Sequence, residues 1–167
     1  MTVVTRQFRE NRLAKLTLAP GGMTEDAASA AAAANLETIR DECVAQVDRE
    51  FDLLKRAAAD PHVKNVPLLQ REMYAHANVI AGVAGCCGLG EMGEAAFSLC
   101  ELIDRQLARG AWSDRALTVH LDGMGLLRGG GDDLAPEARK ALIAGLRHIA
   151  VNAPLAAGNR LSVDRGD

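Results

Sequence analysis

Helix-stopping residues recur along this chain, and the segments between them carry apolar residues at helical spacing. The stops are Asp60-Pro61, Gly88-Leu-Gly90, Gly110, Gly129–Gly131 and Asn152-Ala-Pro154. Proline pushes the residue before it out of the helical region, and glycine ends a helix by reaching left-handed backbone angles at little cost. A chain cut in this way is built to fold by packing helices on one another. Its composition fits: alanine and leucine are abundant, aromatic residues make up 3% and β-branched runs are scarce. With 167 residues it has the length of one domain with a sizeable core.

Five helical patterns can be drawn between the stops. The first opens with Thr24 as N-cap and with Glu25 and Asp26 where the helix dipole favours acids, and it runs to about Ala59. Ala27 to Ala34 is nearly all alanine, and the amphipathic stripe is Leu36, Ile39, Cys43, Val47, Phe51 and Leu54. The second begins near Pro67, a favoured first-turn residue, and continues to Gly88. The third lies between Gly90 and Gly110, with Met92, Ala96, Leu99, Leu102, Ile103 and Leu107 facing inward. The fourth starts at Ser113, ends near Arg128 and turns Leu117, Leu121, Met124 and Leu127 one way. The fifth spans Pro136 to about Val151 with Leu142, Leu146 and Ile149. Short connections favour antiparallel neighbours, so the expected class is all-α with an up-down bundle. The expected division is a basic N-terminal arm over 1–23, a helical bundle over 24–152 and a C-terminal tail over 153–167.

Several functions are disfavoured. The net charge is −3, and within residues 1–22 Arg6, Arg9, Arg12 and Lys15 against Glu10 give +3, which leaves −6 for the remainder. That balance disfavours a general nucleic-acid binder, although the arm could meet an acidic partner. No stretch approaches the roughly 20 apolar residues of a membrane span, and no signal-peptide pattern follows the first arginines, so a cytoplasmic location is expected. Cys43, Cys86, Cys87 and Cys100 have neither metal-ligand nor disulfide spacing and read as reduced packing residues. His62, His120 and His148 are scattered, and His120 cannot face Asp122 across a helix. No metal or cofactor is expected. Gly88-Leu-Gly90 and Gly129–Gly131 follow no strand and read as helix ends, while Asp41-Glu42 and Asp132-Asp133 read as solvated surface.

The second helix has the most unusual surface. At about 100° per residue, Leu69, Met73, Ile80, Val83, Ala84 and Cys87 fall on one arc, the face expected to be buried. His76 projects roughly 40° from the centre of that arc and Asn78 roughly 160° from it. The expected role of His76 is therefore a core-facing ring bonded to a neighbour. Around Asn78 lie Ala75, Ala81, Gly82 and Gly85, with Arg71 and Tyr74 a turn or two earlier and Leu68 on the same face or its edge. A helical glycine costs about 0.5–1 kcal/mol relative to alanine, so something should offset Gly82 and Gly85.

The spacing of Gly82 and Gly88, with Glu91 to Asp104 after them, resembles histidine-containing phosphotransfer domains, the relay modules of two-component signalling. In that family a phosphorylatable histidine stands four residues before a helical glycine, and a second glycine follows six residues on. Here that site holds Asn78, and Ala81 stands where the family usually has Lys or Arg. The resemblance extends less specifically through residue 150, where Val119 to Leu127 and the last helix are similar to later bundle helices of alphaproteobacterial members. The first helix and the arm are more loosely similar to an accessory protein of alphaproteobacterial chemotaxis clusters.

The resemblance implies a four-helix bundle with an added N-terminal helical segment and arm. It also implies a docking face for a response-regulator receiver domain, formed by Arg71, Tyr74, Ala75, Asn78, Ala81, Gly82 and Gly85, with a histidine kinase as a further candidate partner. An amide cannot carry the phosphoryl group as a histidine nitrogen does, so the expectation is an adaptor rather than an enzyme. Two alternatives stay open: a phosphotransfer protein using His76 through a shifted register, and a helical homodimer joined through the Gly-Ala face.

Overall fold

The computed structural model describes residues 22–128, 134–152 and 156–157, the last pair through its backbone alone. The basic arm with Arg6, Arg9, Arg12 and Lys15, the Gly129–Gly131 run, Asp132-Asp133, Pro154 and the end of the tail lie outside the described residues. The chain divides into two compact units, Met1–Glu37 and Thr38–Asp167, with the boundary inside the first helix.

The described residues are almost wholly helical. The elements are α1 (Glu25–Ala58), α2 (Pro67–Val83) with a 3-10 turn over Ala84–Cys87, α3 (Gly90–Arg109), α4 (Asp114–Leu127) and α5 (Pro136–Asn152). Two-residue strands β1 (Ala111–Trp112) and β2 (Ala156–Ala157) pair antiparallel, so part of the expected tail is held against the α3–α4 corner.

The helix ends follow local chemistry. Thr24 Oγ1 accepts the Ala27 N–H at 3.2 Å, and Ser113 Oγ accepts the Ala116 N–H at 3.3 Å. Each satisfies one of the orphan donors of a first turn. Pro67 opens α2 where its missing N–H costs nothing. Gly88 and Gly110 take positive φ values of 81° and 58°, and the Gly110 N–H returns to the carbonyls at the end of α3. The second helix does not run unbroken to Gly88 as expected, because its last turn tightens to 3-10 before the left-handed glycine.

The helix α3 organises the core. It packs against α2, α4 and α5, and α4 also packs on α5. Met92, Ala96, Leu99, Leu102 and Ile103 are fully buried, and Leu107 is partly buried, in line with the stripe read from the sequence. Val47, Phe51 and Leu54 of α1 join the same core cluster. Leu36 and Ile39 do not: they remain 41% and 43% exposed, which corrects the expected stripe at its N-terminal end. Helical spacing continues through them, but burial begins only further along α1, with Cys43 and Val44 partly covered and Val47 fully. Outside the core, Arg128 at the end of α4 pairs with Asp48 at 2.6 Å and Asp52 at 3.1 Å, over the Phe51 ring.

Candidate functional site

The outward face of α2 is a continuous stripe. Leu68, Arg71, Ala75, Asn78 and Gly82 are all exposed, and their alternating steps of three and four residues keep them on one side of the helix; Gly85, also exposed, follows in the 3-10 turn. Leu68, at 72% exposed, is the one large apolar side chain in it. Asn78 makes no side-chain hydrogen bond to the described residues.

Tyr74 and Ala81, grouped with the stripe in the sequence reading, are only half exposed and turn toward α3. The Tyr74 carbonyl accepts from the Cys100 thiol at 3.9 Å, and the nearby Asp104 carboxylate raises the phenol pKa by disfavouring phenolate. The Ala81 carbonyl lies 3.6 Å from where a Cβ on Gly93 would sit. These two residues form the edge of the stripe rather than its middle, because α3 covers their flank of the helix.

Among the described residues nothing packs against the glycines of the stripe. A Cβ added to Gly82 or Gly85 would meet nothing within 4 Å, whereas one on Gly93 would meet Ala84 Cβ at 3.3 Å. Close helix packing inside the chain therefore accounts for Gly93 and leaves Gly82 and Gly85 unaccounted for.

The sequence reading missed Phe97. It is 58% exposed on α3 and shares a row with Gly93, Cys100 and Asp104, the residues that meet α2 or lie beside Tyr74. The contacts of Tyr74 with Cys100 and of Ala81 with Gly93 bracket Asn78 on one helix and Phe97 on the other. A phenylalanine outside the apolar stripe of α3 was the available signal.

His76 stands on the opposite flank of α2. Its Nδ1–H donates to Glu50 Oε2 of α1 at 2.7 Å, and its side chain is 17% exposed. Nε2 lies 3.9 Å from Glu72 Oε1. The ring thus joins α2 to α1 through a carboxylate, at the edge of the core rather than within it.

The other polar chemistry is interior. His120 is fully buried, and its Nδ1–H must be the donor to the Ala116 carbonyl at 2.8 Å, because a carbonyl only accepts. Its Nε2 then accepts from the Ser98 hydroxyl at 3.1 Å, which fixes one neutral tautomer. Burial lowers the His120 pKa from 6.5, against the opposing effect of the Ala116 and Leu146 carbonyls.

All four cysteines are free thiols. Burial is the main cause that raises the Cys87 pKa, and burial with the Asp104 charge pushes Cys100 up to about 11, so neither is a ready thiolate near neutral pH. Among the described residues no cluster of His, Cys, Asp and Glu could hold a metal ion, and no helix is long and apolar enough to cross a membrane. No protein-family model, curated protein or solved structure matches the chain.

Proposed function

We propose that the protein is a pseudo-phosphotransfer adaptor of two-component signalling, with chemotaxis as one candidate pathway. In this reading it is a cytoplasmic four-helix bundle of the histidine-phosphotransfer type that docks a receiver domain without relaying phosphate. The single observation that carries it is the open space at Gly82 and Gly85, two helix-weakening residues on an exposed stripe centred on Asn78. A bare helix face gives a partner's loops access to the backbone. Phe97 beside it supplies the kind of aromatic anchor on which binding energy concentrates.

Asn78 offers a donor and an acceptor to such a partner and no nucleophile. The receiver's aspartyl phosphate would therefore meet an amide, and the complex would sequester or scaffold the receiver. The test is a pull-down of the host's receiver domains by the full chain. Capture of a receiver supports docking, and capture of none counts against it.

One observation favours a second reading. The contact with Glu50 holds His76 through Nδ1 and leaves Nε2 as the nitrogen a phosphoryl group could reach. Incubation with a phosphorylated receiver separates the two. Stoichiometric acid-labile phosphate on the wild type that disappears in His76→Ala would replace the adaptor with an active relay.

A further inference from the structure

The first part of α1 carries an apolar side that the described residues leave uncovered. Every residue from 22 to 42 is exposed, so about five turns of helix precede the packing that begins at Cys43. At about 100° per residue, Ser29, Ala32, Ala33, Leu36 and Ile39 lie on the side of α1 that joins the core further along at Val47. An amphipathic stripe of that length is built to be covered. Ser29, Ala32 and Ala33 are small, so a second segment can lie close to the helix there.

The sequence names the cover by charge and by reach. Over residues 24–37, Glu25, Asp26 and Glu37 stand with no lysine or arginine and give −3, whereas Arg6, Arg9, Arg12 and Lys15 against Glu10 give residues 1–22 a charge of +3. Pro20-Gly-Gly22, just before the Thr24 cap, suits a reversal of the chain. Leu36 stands roughly 18 Å along the helix axis from Thr24, and residues 1–19 span roughly 28 Å as a helix and more when extended. The arm also carries Phe8, Leu13, Leu16 and Leu18 to set on an apolar side. The arm and α1 as far as Glu37 belong to one compact unit of the chain.

We propose that residues 1–19 fold back along α1 and cover the side that runs to Leu36. The apolar residues of the arm lie on Ala32, Ala33 and Leu36, and its basic residues lie near Glu25, Asp26 and Glu37. The acidic partner of the arm is then the chain's own first helix. A second copy is the rival occupant, which like charges on two facing acidic helices disfavour. The inference does not rest on receiver docking, because none of these residues belongs to α2.

Arg6, Arg9, Arg12 and Lys15 are trypsin sites, so limited proteolysis of the full chain, read by mass spectrometry, reports on the arm directly. A peptide of residues 1–22 supplies the cleavage rate of an uncovered arm. The wild-type sites should be cut at least ~10-fold more slowly than those of the peptide, at a rate independent of protein concentration. Leu36→Gln removes apolar surface at an exposed position, so it should speed cleavage about 5-fold and leave the melting temperature of the bundle unchanged. Ala34→Gln, on the opposite side of the helix, should leave the rate as in the wild type. Wild-type cleavage at the peptide's rate, no acceleration in Leu36→Gln, or equal acceleration in the two variants would overturn the proposal. So would protection that grows with protein concentration alongside a dimer in sedimentation velocity, which would assign the face to a second copy.

Discussion

Gly82 on the outward face of α2, with Gly85 in the 3-10 turn after it, and Gly93 and Gly123 in the helix seams are the same residue in opposite circumstances. A Cβ at Gly93 would press on Ala84, and one at Gly123 would come within 3.0 Å of Leu146 Cδ1, while Gly82 and Gly85 face open space. The seam glycines let helices approach, so the fold itself explains them. The outward pair weakens α2 and the 3-10 turn that ends it, and meets nothing among the described residues. Glycine therefore marks close packing in one region and an accessible surface in the other, and only the neighbours tell the two apart.

The comparison can be broken by substitution. Gly93→Leu should produce the largest effect, because the side chain must displace Ala84 or push α3 from α2. Chemical denaturation should show a loss of about 1–3 kcal/mol. The outward positions should respond with the other sign. Gly82→Ala and Gly85→Ala should each stabilise by about 0.5–1 kcal/mol in the same measurement, since neither has a positive φ and neither meets a neighbour. A clear loss at either would mean that the outward glycines also serve the fold.

The seams should also show a milder dependence on pH that the stripe lacks. His120 lies in the seam between α3 and α4, where burial keeps its pKa below 6.5. The unfolded chain takes up a proton near pH 6.5 while the folded one does not. Stability should thus be complete above that value and fall as pH drops from it toward the folded-state pKa. Melting curves at stepped pH should show this fall, and His120→Gln should flatten it across the same interval.

Much of the fold was legible because helix ends are set locally. Thr24, Pro67, Ser113 and the glycines at 88 and 110 act within a turn of where they stand, and periodicity names the inward residues of α3 and α4. Leu36 and Ile39 were misread because periodicity gives a direction and not what covers it. The link between Ser98 and His120 was invisible because it joins two helices, as was the tie from His76 to Glu50. In the candidate site, helix geometry located Asn78 and the two open glycines. The half-covered edge at Tyr74 and Ala81 and the exposed ring of Phe97 depend on how α2 meets α3.

The central claim, that the bare stripe of α2 is a receiver-docking face, is tested most directly by calorimetric titration of one receiver domain against three proteins. These are the wild type, Gly82→Ala and Gly82→Arg, with circular dichroism to check that helix content is unchanged. The account predicts binding by the wild type, a modest change in Gly82→Ala, and at least ~100-fold weaker binding in Gly82→Arg, where a long side chain fills the approach. Equal affinity in wild type and Gly82→Arg would contradict it.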